Sequence, residues 1–130
     1  VIVCSGAISS TVKYTVNEIR KNENKKIGVL RIRVLRPFPF NKVRELLEGR
    51  KKIIVMDRNI SFGLGGVFFN EIRSSLYTLR KRPKILGYIV GLGGRDITPS
   101  LVYGIIKDAE KRKTSEDVIF WGLKEENINL

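Results

Sequence analysis

The chain reads as an α/β domain, a mostly parallel sheet with helices on both faces. Five short runs dense in Val and Ile, at 1–4, 26–34, 52–57, 84–91 and 118–121, have the composition of strands buried on both sides. The segments between them place apolar residues at helical period. Strand and helix in alternation call for parallel strands joined by right-handed crossovers. A length of 130 residues suits one domain that buries roughly two-thirds of its unfolded surface.

Each element has its own signal. Ile8, Val12, Val16 and Ile19 recur at spacings of four, four and three, the stripe of a first helix. A second is expected over 41–48, with Asn41 as N-cap, Val43, Leu46 and Leu47 facing inward, and Gly49 as the stop. A third is expected over about 66–81, with Phe68, Ile72, Leu76 and Leu79 on one side. The fourth spans about 99–111. Thr98 caps it, Pro99 sits in the first turn, and Leu101, Val102, Ile105, Ile106 and Ala109 face the core. The domain is expected to occupy 1–123, with 124–130 a polar tail; no internal repeat or low-complexity segment interrupts it.

Composition removes most catalytic chemistries. A single cysteine, Cys4, excludes a disulfide framework and any cysteine-ligated zinc or iron–sulfur site within the chain. The absence of histidine excludes Ser–His and Cys–His pairs and imidazole metal sites. Cys4 lies in the first apolar strand and reads as a packing residue. Asp57 and Arg58 end a strand, the usual place for a functional carboxylate, yet no acid–base partner stands near them in sequence. No catalytic or metal-ligating residue is therefore expected. No apolar run is long enough to cross a membrane, and 1–4 is too short for a signal peptide. A start inside a strand without Met suggests part of a longer protein, and a lone cysteine suits the cytoplasm.

The charge is strongly biased: 25 Lys and Arg against 13 Asp and Glu, net +12. In a parallel sheet the helix-to-strand connections share one edge. That edge collects Arg20, Lys21, Lys25, Lys26, Arg50, Lys51, Lys52, Arg80, Lys81, Arg82, Lys84, Lys111, Arg112 and Lys113, fourteen of the 25. Cations in a last helical turn complement the helix dipole, which accounts for one or two per helix. Clusters of three or four also suit an acidic partner. Nucleic acid is disfavoured, because no aromatic residues interleave with them.

The opposite edge carries the loops where open α/β sheets bind ligands. Gly63-Leu64-Gly65-Gly66 follows a strand and opens a helix, so free helix N–H groups can face an anion there. A tight turn with close packing serves equally, since the spacing is not G-x-G-x-x-G and no P-loop lysine follows. In 91–98, Gly91, Gly93 and Gly94 permit positive φ or close approach. Arg95 and Asp96 can pair, cap the next helix or reach across an interface. In Arg36-Pro37-Phe38-Pro39-Phe40 the prolines fix the path, and both phenylalanines need a surface in the domain or on a neighbour. Interface or anion-contact candidates are Arg58, Gly63, Gly65, Gly66, Gly93, Gly94, Arg95 and Asp96.

Taken in order, Val1-Ile2-Val3-Cys4-Ser5-Gly6, Leu35-Arg36-Pro37-Phe38-Pro39, Val55-Met56-Asp57-Arg58 with the glycines at 63–66, and the 91–98 loop with its helix resemble one family. It is the second domain of the alpha subunit of pyruvate:ferredoxin oxidoreductase, or pyruvate synthase, and the resemblance runs over about 1–121. It implies a three-layer α/β/α fold like the C-terminal domain of transketolase, with a five-stranded sheet. The family has a further antiparallel strand ahead of the one at Val1, which this chain lacks. Such enzymes convert pyruvate and CoA to acetyl-CoA and CO2, using thiamine diphosphate, Mg and iron–sulfur clusters, and reduce ferredoxin. The resemblance places those sites in other domains or subunits. This domain then binds no cofactor, is inactive alone, and supports the assembly of its own subunit with the others. Related enzymes for branched-chain 2-oxo acids share the domain. The alternative is a free-standing module holding a nucleotide or CoA-type anion through 63–66 and Arg95.

Overall fold

The computed structural model describes residues 1–61 and 63–122; the tail expected over 124–130 lies outside the described residues. Strands β1 (Ile2–Ser5), β2 (Val29–Ile32), β3 (Lys52–Asp57), β4 (Lys84–Ile89) and β5 (Glu116–Phe120) alternate with helices α1 (Ile8–Glu23), α2 (Phe40–Leu47), α3 (Val67–Leu76) and α4 (Pro99–Lys111). The sheet runs β2-β1-β3-β4-β5, and every pairing is parallel. The five strand runs read from Val and Ile content all pair.

Alternation within the strands builds two cores. On one face Ile54, Met56, Leu86 and Tyr88 meet Val12, Val16 and Ile19 of α1 and Val102, Ile105 and Ile106 of α4. On the other Val3, Ile53, Val55 and Ile85 meet Val43 and Leu47 of α2 and Phe69, Ile72 and Leu76 of α3. The result is three layers. Each fully buried aliphatic side chain contributes about 1.5–3 kcal/mol.

The crossovers do not share one hand throughout. Helices α2 and α3 carry the chain from β2 to β4 on one face, and α1 carries it the opposite way on the other, so these three agree. Helix α4 leads onward to β5 from α1's face, and the β4-α4-β5 connection has the reverse hand. Burial explains the exception. Without α4, the α1 face of β3 and β4, with Met56, Leu86 and Tyr88, has no cover.

Helix phase departs from expectation where two large apolar residues adjoin. Helix α2 begins at Phe40, after Pro39, so Asn41 lies in its first turn instead of capping it. In eight residues only Val43 and Leu47, four apart, reach the sheet, and Leu46 is left 40% exposed. In α3 it is Phe69, not Phe68, that joins Ile72 and Leu76 in the core. That helix also stops early: Tyr77 and Leu79 donate to the carbonyls of Ser74 and Leu76, closing tighter turns.

The β4–β5 pairing shifts register between Leu86 and Tyr88. Gly87 lies between them because a Cβ there would stand 2.4 Å from the Asp117 carbonyl and 2.6 Å from the Phe69 ring. Among the described residues, none of α1–α4 has an acidic residue in its first turn, and each carries Lys or Arg in the last. Of the fourteen cations assigned to the amino edge, seven find partners among the described residues. Lys52 is the most embedded, its Nζ donating to the carbonyls of Ala109 (2.5 Å) and Arg112 (2.8 Å) at the end of α4. Arg112 pairs with Asp108 and Glu116, Lys25 with Glu23 and Glu110, and Lys21 with Glu18. Arg20 and Arg50 donate to the carbonyls of Ile27 and Leu46, and Arg82 lies over Tyr77.

Candidate functional site

The carboxyl edge of the sheet gathers the sequence-predicted candidates. The connection after β1 runs outward to β2 and the connection after β3 runs the other way to β4, so the topological switch point falls between β1 and β3. Open sheets of this kind bind ligands there. Ser5 and Gly6 flank it from β1, and Asp57 and Arg58 from β3.

Asp57 is 1% exposed and lies under α3. Its Oδ1 accepts the N–H of Phe68 and its Oδ2 the N–H of Phe69, both at 3.0 Å. Asn59 Oδ1 accepts the N–H of Val67 at 3.0 Å. The first turn of α3 is thus closed by side chains of its own chain, and its N–H groups are occupied by Asp57 and Asn59. Gly66 makes the contact possible, since a Cβ would stand 2.1 Å from Asp57 Oδ2. Burial pushes the Asp57 carboxyl above 3.8, opposed by the hydrogen bonds from Phe69, Phe68 and Asn59. Gly63 is exposed beside Leu64, and Ser61 bridges back to Gly65.

The second loop is equally self-engaged. Gly91, Gly93 and Gly94 all adopt positive φ, 67°, 70° and 75°. The Arg58 side chain lies against Gly91, where its Nε would be 2.9 Å from an added Cβ. Arg95 donates to the Gly122 carbonyl at 2.9 Å and so ties the loop to the end of β5. Asp96 is exposed. Thr98 caps α4 as expected, accepting the N–H of Leu101 at 3.1 Å, and Pro99 opens the helix. Arg36 reaches Glu71 on α3 at 2.6 Å. Phe38 is buried in the domain and Phe40 is 41% exposed, the rings meeting edge-on at 5.1 Å.

Asp57 and Cys4, which could carry acid–base or nucleophilic chemistry, are both buried. Asp57 is buried with both oxygens engaged. Cys4 is fully buried against Ser9 Oγ at 3.6 Å, and burial pushes its thiol pKa up. Among the described residues no group of three His, Cys, Asp or Glu is placed to hold a metal ion. Sequence reading located Asp57 but missed what it does, because its partners come eleven and twelve residues later. The Gly-Gly pair before α3 is the signal that something packs against that helix's first turn.

An open parallel α/β domain with an internally braced loop edge is the class that fold and site define. The chain belongs to the pyruvate:ferredoxin oxidoreductase core domain II family, which it matches over residues 1–102. It is 43% identical over 109 residues to "Pyruvate synthase subunit PorA" of Thermotoga maritima, covering 84% of this chain and 28% of the relative. The PorA of Methanocaldococcus jannaschii is 44% identical over 127 residues, 96% of this chain and 31% of the relative. "Ketoisovalerate oxidoreductase subunit VorA" of Pyrococcus furiosus is 40% identical over 123 residues, 92% and 31%. The chain thus spans about three-tenths of the length of these relatives.

Proposed function

We propose that this chain is the second core domain of a 2-oxo acid:ferredoxin oxidoreductase and acts as a structural and assembly domain. Pyruvate is the substrate this reading favours, oxidised with CoA to acetyl-CoA and CO2 while ferredoxin is reduced. Family membership over 1–102, with PorA relatives aligned over most of the chain, carries the reading. VorA relatives at similar identity make a branched-chain 2-oxo acid the second substrate reading.

The complete enzyme would use thiamine diphosphate, Mg and iron–sulfur clusters. The donor set of this chain does not fit them. Clusters take several cysteine thiolates, and the single cysteine here is buried with a raised pKa. The glycine turn at 63–66 offers a diphosphate no free N–H groups, because the first turn of α3 is already occupied by Asp57 and Asn59. The domain's part is to present two closed helical layers and a braced loop edge to the rest of its subunit and to companion subunits. The occupied α3 terminus also weighs against the free-standing anion-binding module.

The test is to isolate the native complex through a tag on the full-length subunit. Companion chains, with pyruvate- and CoA-dependent reduction of ferredoxin or a viologen dye, are the expected result. Recovery of a lone chain that binds a nucleotide or CoA saturably would overturn it. Faster turnover with a branched 2-oxo acid would keep the class and change the substrate.

A further inference from the structure

We propose that the groove between α1 and β2 is a docking site for an extended acidic polypeptide segment. The groove encloses about 620 Å³ and runs along the sheet's edge, from Gly6 at the carboxyl end of β1 to Val29 and Arg20 at the amino end. Lys13 and Arg20 of α1 line one wall, and Arg31 and Arg33, on and just past β2, line the other. Among the described residues, no carboxylate and no aromatic ring lines it.

The cations of this groove are mostly without partners among the described residues. Half of the cations on the amino edge are engaged within the chain, as described above. Among the described residues, Lys13, Arg31 and Arg33 enter no salt bridge, and only Arg20 of the four has a hydrogen bond, to the Ile27 carbonyl. Helix α1 adds to the potential, beginning without a side-chain cap and without an acidic residue in its first turn.

Spacing selects the ligand. Lys13 and Arg20 are seven residues apart, about 10 Å along the helix. Arg31 and Arg33 are two apart, about 7 Å along the strand and on the same side. Charges spread over two walls in this way suit a row of anions better than one phosphate. An extended chain presents every second side chain on one face at the same spacing of about 7 Å, so acidic residues at alternate positions match Arg31 and Arg33. The lack of aromatic rings disfavours single-stranded nucleic acid.

The inference goes beyond the oxidoreductase reading and does not depend on it, since binding is read without turnover. The full-length subunit, purified without companions, is titrated against a fluorescein-labelled peptide of alternating Asp and Val by anisotropy at low and high salt. Binding at low salt that weakens as salt rises is expected, with about tenfold weaker binding in Arg31→Glu/Arg33→Glu. Arg31→Lys/Arg33→Lys should keep most of the binding, and Arg80→Glu/Lys81→Glu should match the wild type. Should the reversed Arg pair fail to fold by circular dichroism, Lys13→Glu takes its place. The proposal falls if the wild type does not bind, if the Arg80/Lys81 reversal is equally damaging, or if an oligonucleotide or inorganic phosphate displaces the peptide at matched ionic strength.

Discussion

Asp57 shows how one residue joins a strand end to a helix start, and it makes a prediction with a definite sign. Burial holds its carboxyl above 3.8 in the folded chain, so the folded state keeps the proton more tightly than the unfolded one. Its contribution to stability is therefore greatest below pH 3.8 and declines as pH rises through the folded value. Asp57→Asn removes that slope and leaves one helix N–H without an acceptor, a cost of about 1–3 kcal/mol. In denaturant melts of the full-length subunit the variant should be less stable throughout, with the gap to wild type narrowing from about pH 3 to 7. A gap that widens with pH would contradict the burial argument. Gly66→Ala attacks the same contact from the helix side and should cost about 1–3 kcal/mol by overpacking.

At the scale of the element, Lys52 links the start of β3 to the end of α4, satisfying carbonyls that a helix terminus leaves without partners. Lys52→Met keeps the stem and loses those bonds, so a loss of about 1–3 kcal/mol is expected. Faster amide exchange confined to the last turn of α4 would accompany it; unchanged exchange there would show that water replaces the ammonium without penalty. The elements themselves were unevenly legible. Helices α1 and α4 could be read because a single apolar residue holds each turn of α1 and because Thr98-Pro99 marks where α4 starts. Helices α2 and α3 misled because Leu46-Leu47 and Phe68-Phe69 leave the inward face undecided until the sheet beneath is known. The loops could be read as turns from their glycines. Their wiring could not, since Asp57 to Phe69 and Arg95 to Gly122 are contacts across the fold. The reversed hand of the last crossover lay beyond sequence for the same reason, being set by which face needed cover.

For the whole molecule, the strand order sets a gradient of protection. Strands β1, β3 and β4 each have a neighbour on both sides, whereas β2 and β5 are edges in the described sheet. Amide exchange in the full-length subunit should be slowest in β1, β3 and β4, which have partners on both sides within this chain. Strong protection of β2 there would mean that something outside this chain pairs with its free side. The domain accounts for about three-tenths of the length of its relatives, so its outer surfaces are the places to look for contacts with the remainder.

The unbroken parallel arrangement also has an electrical consequence. All four helices point their amino ends toward the carboxyl edge of the sheet, and none has an acidic residue in its first turn. Their carboxyl ends, which would form a negative pole, are overlaid by Lys and Arg. Both edges of the sheet are therefore positive, one through helix amino ends and the other through Lys and Arg. Long-range attraction alone brings an acidic surface toward either edge, and the choice of where to settle is left to shape.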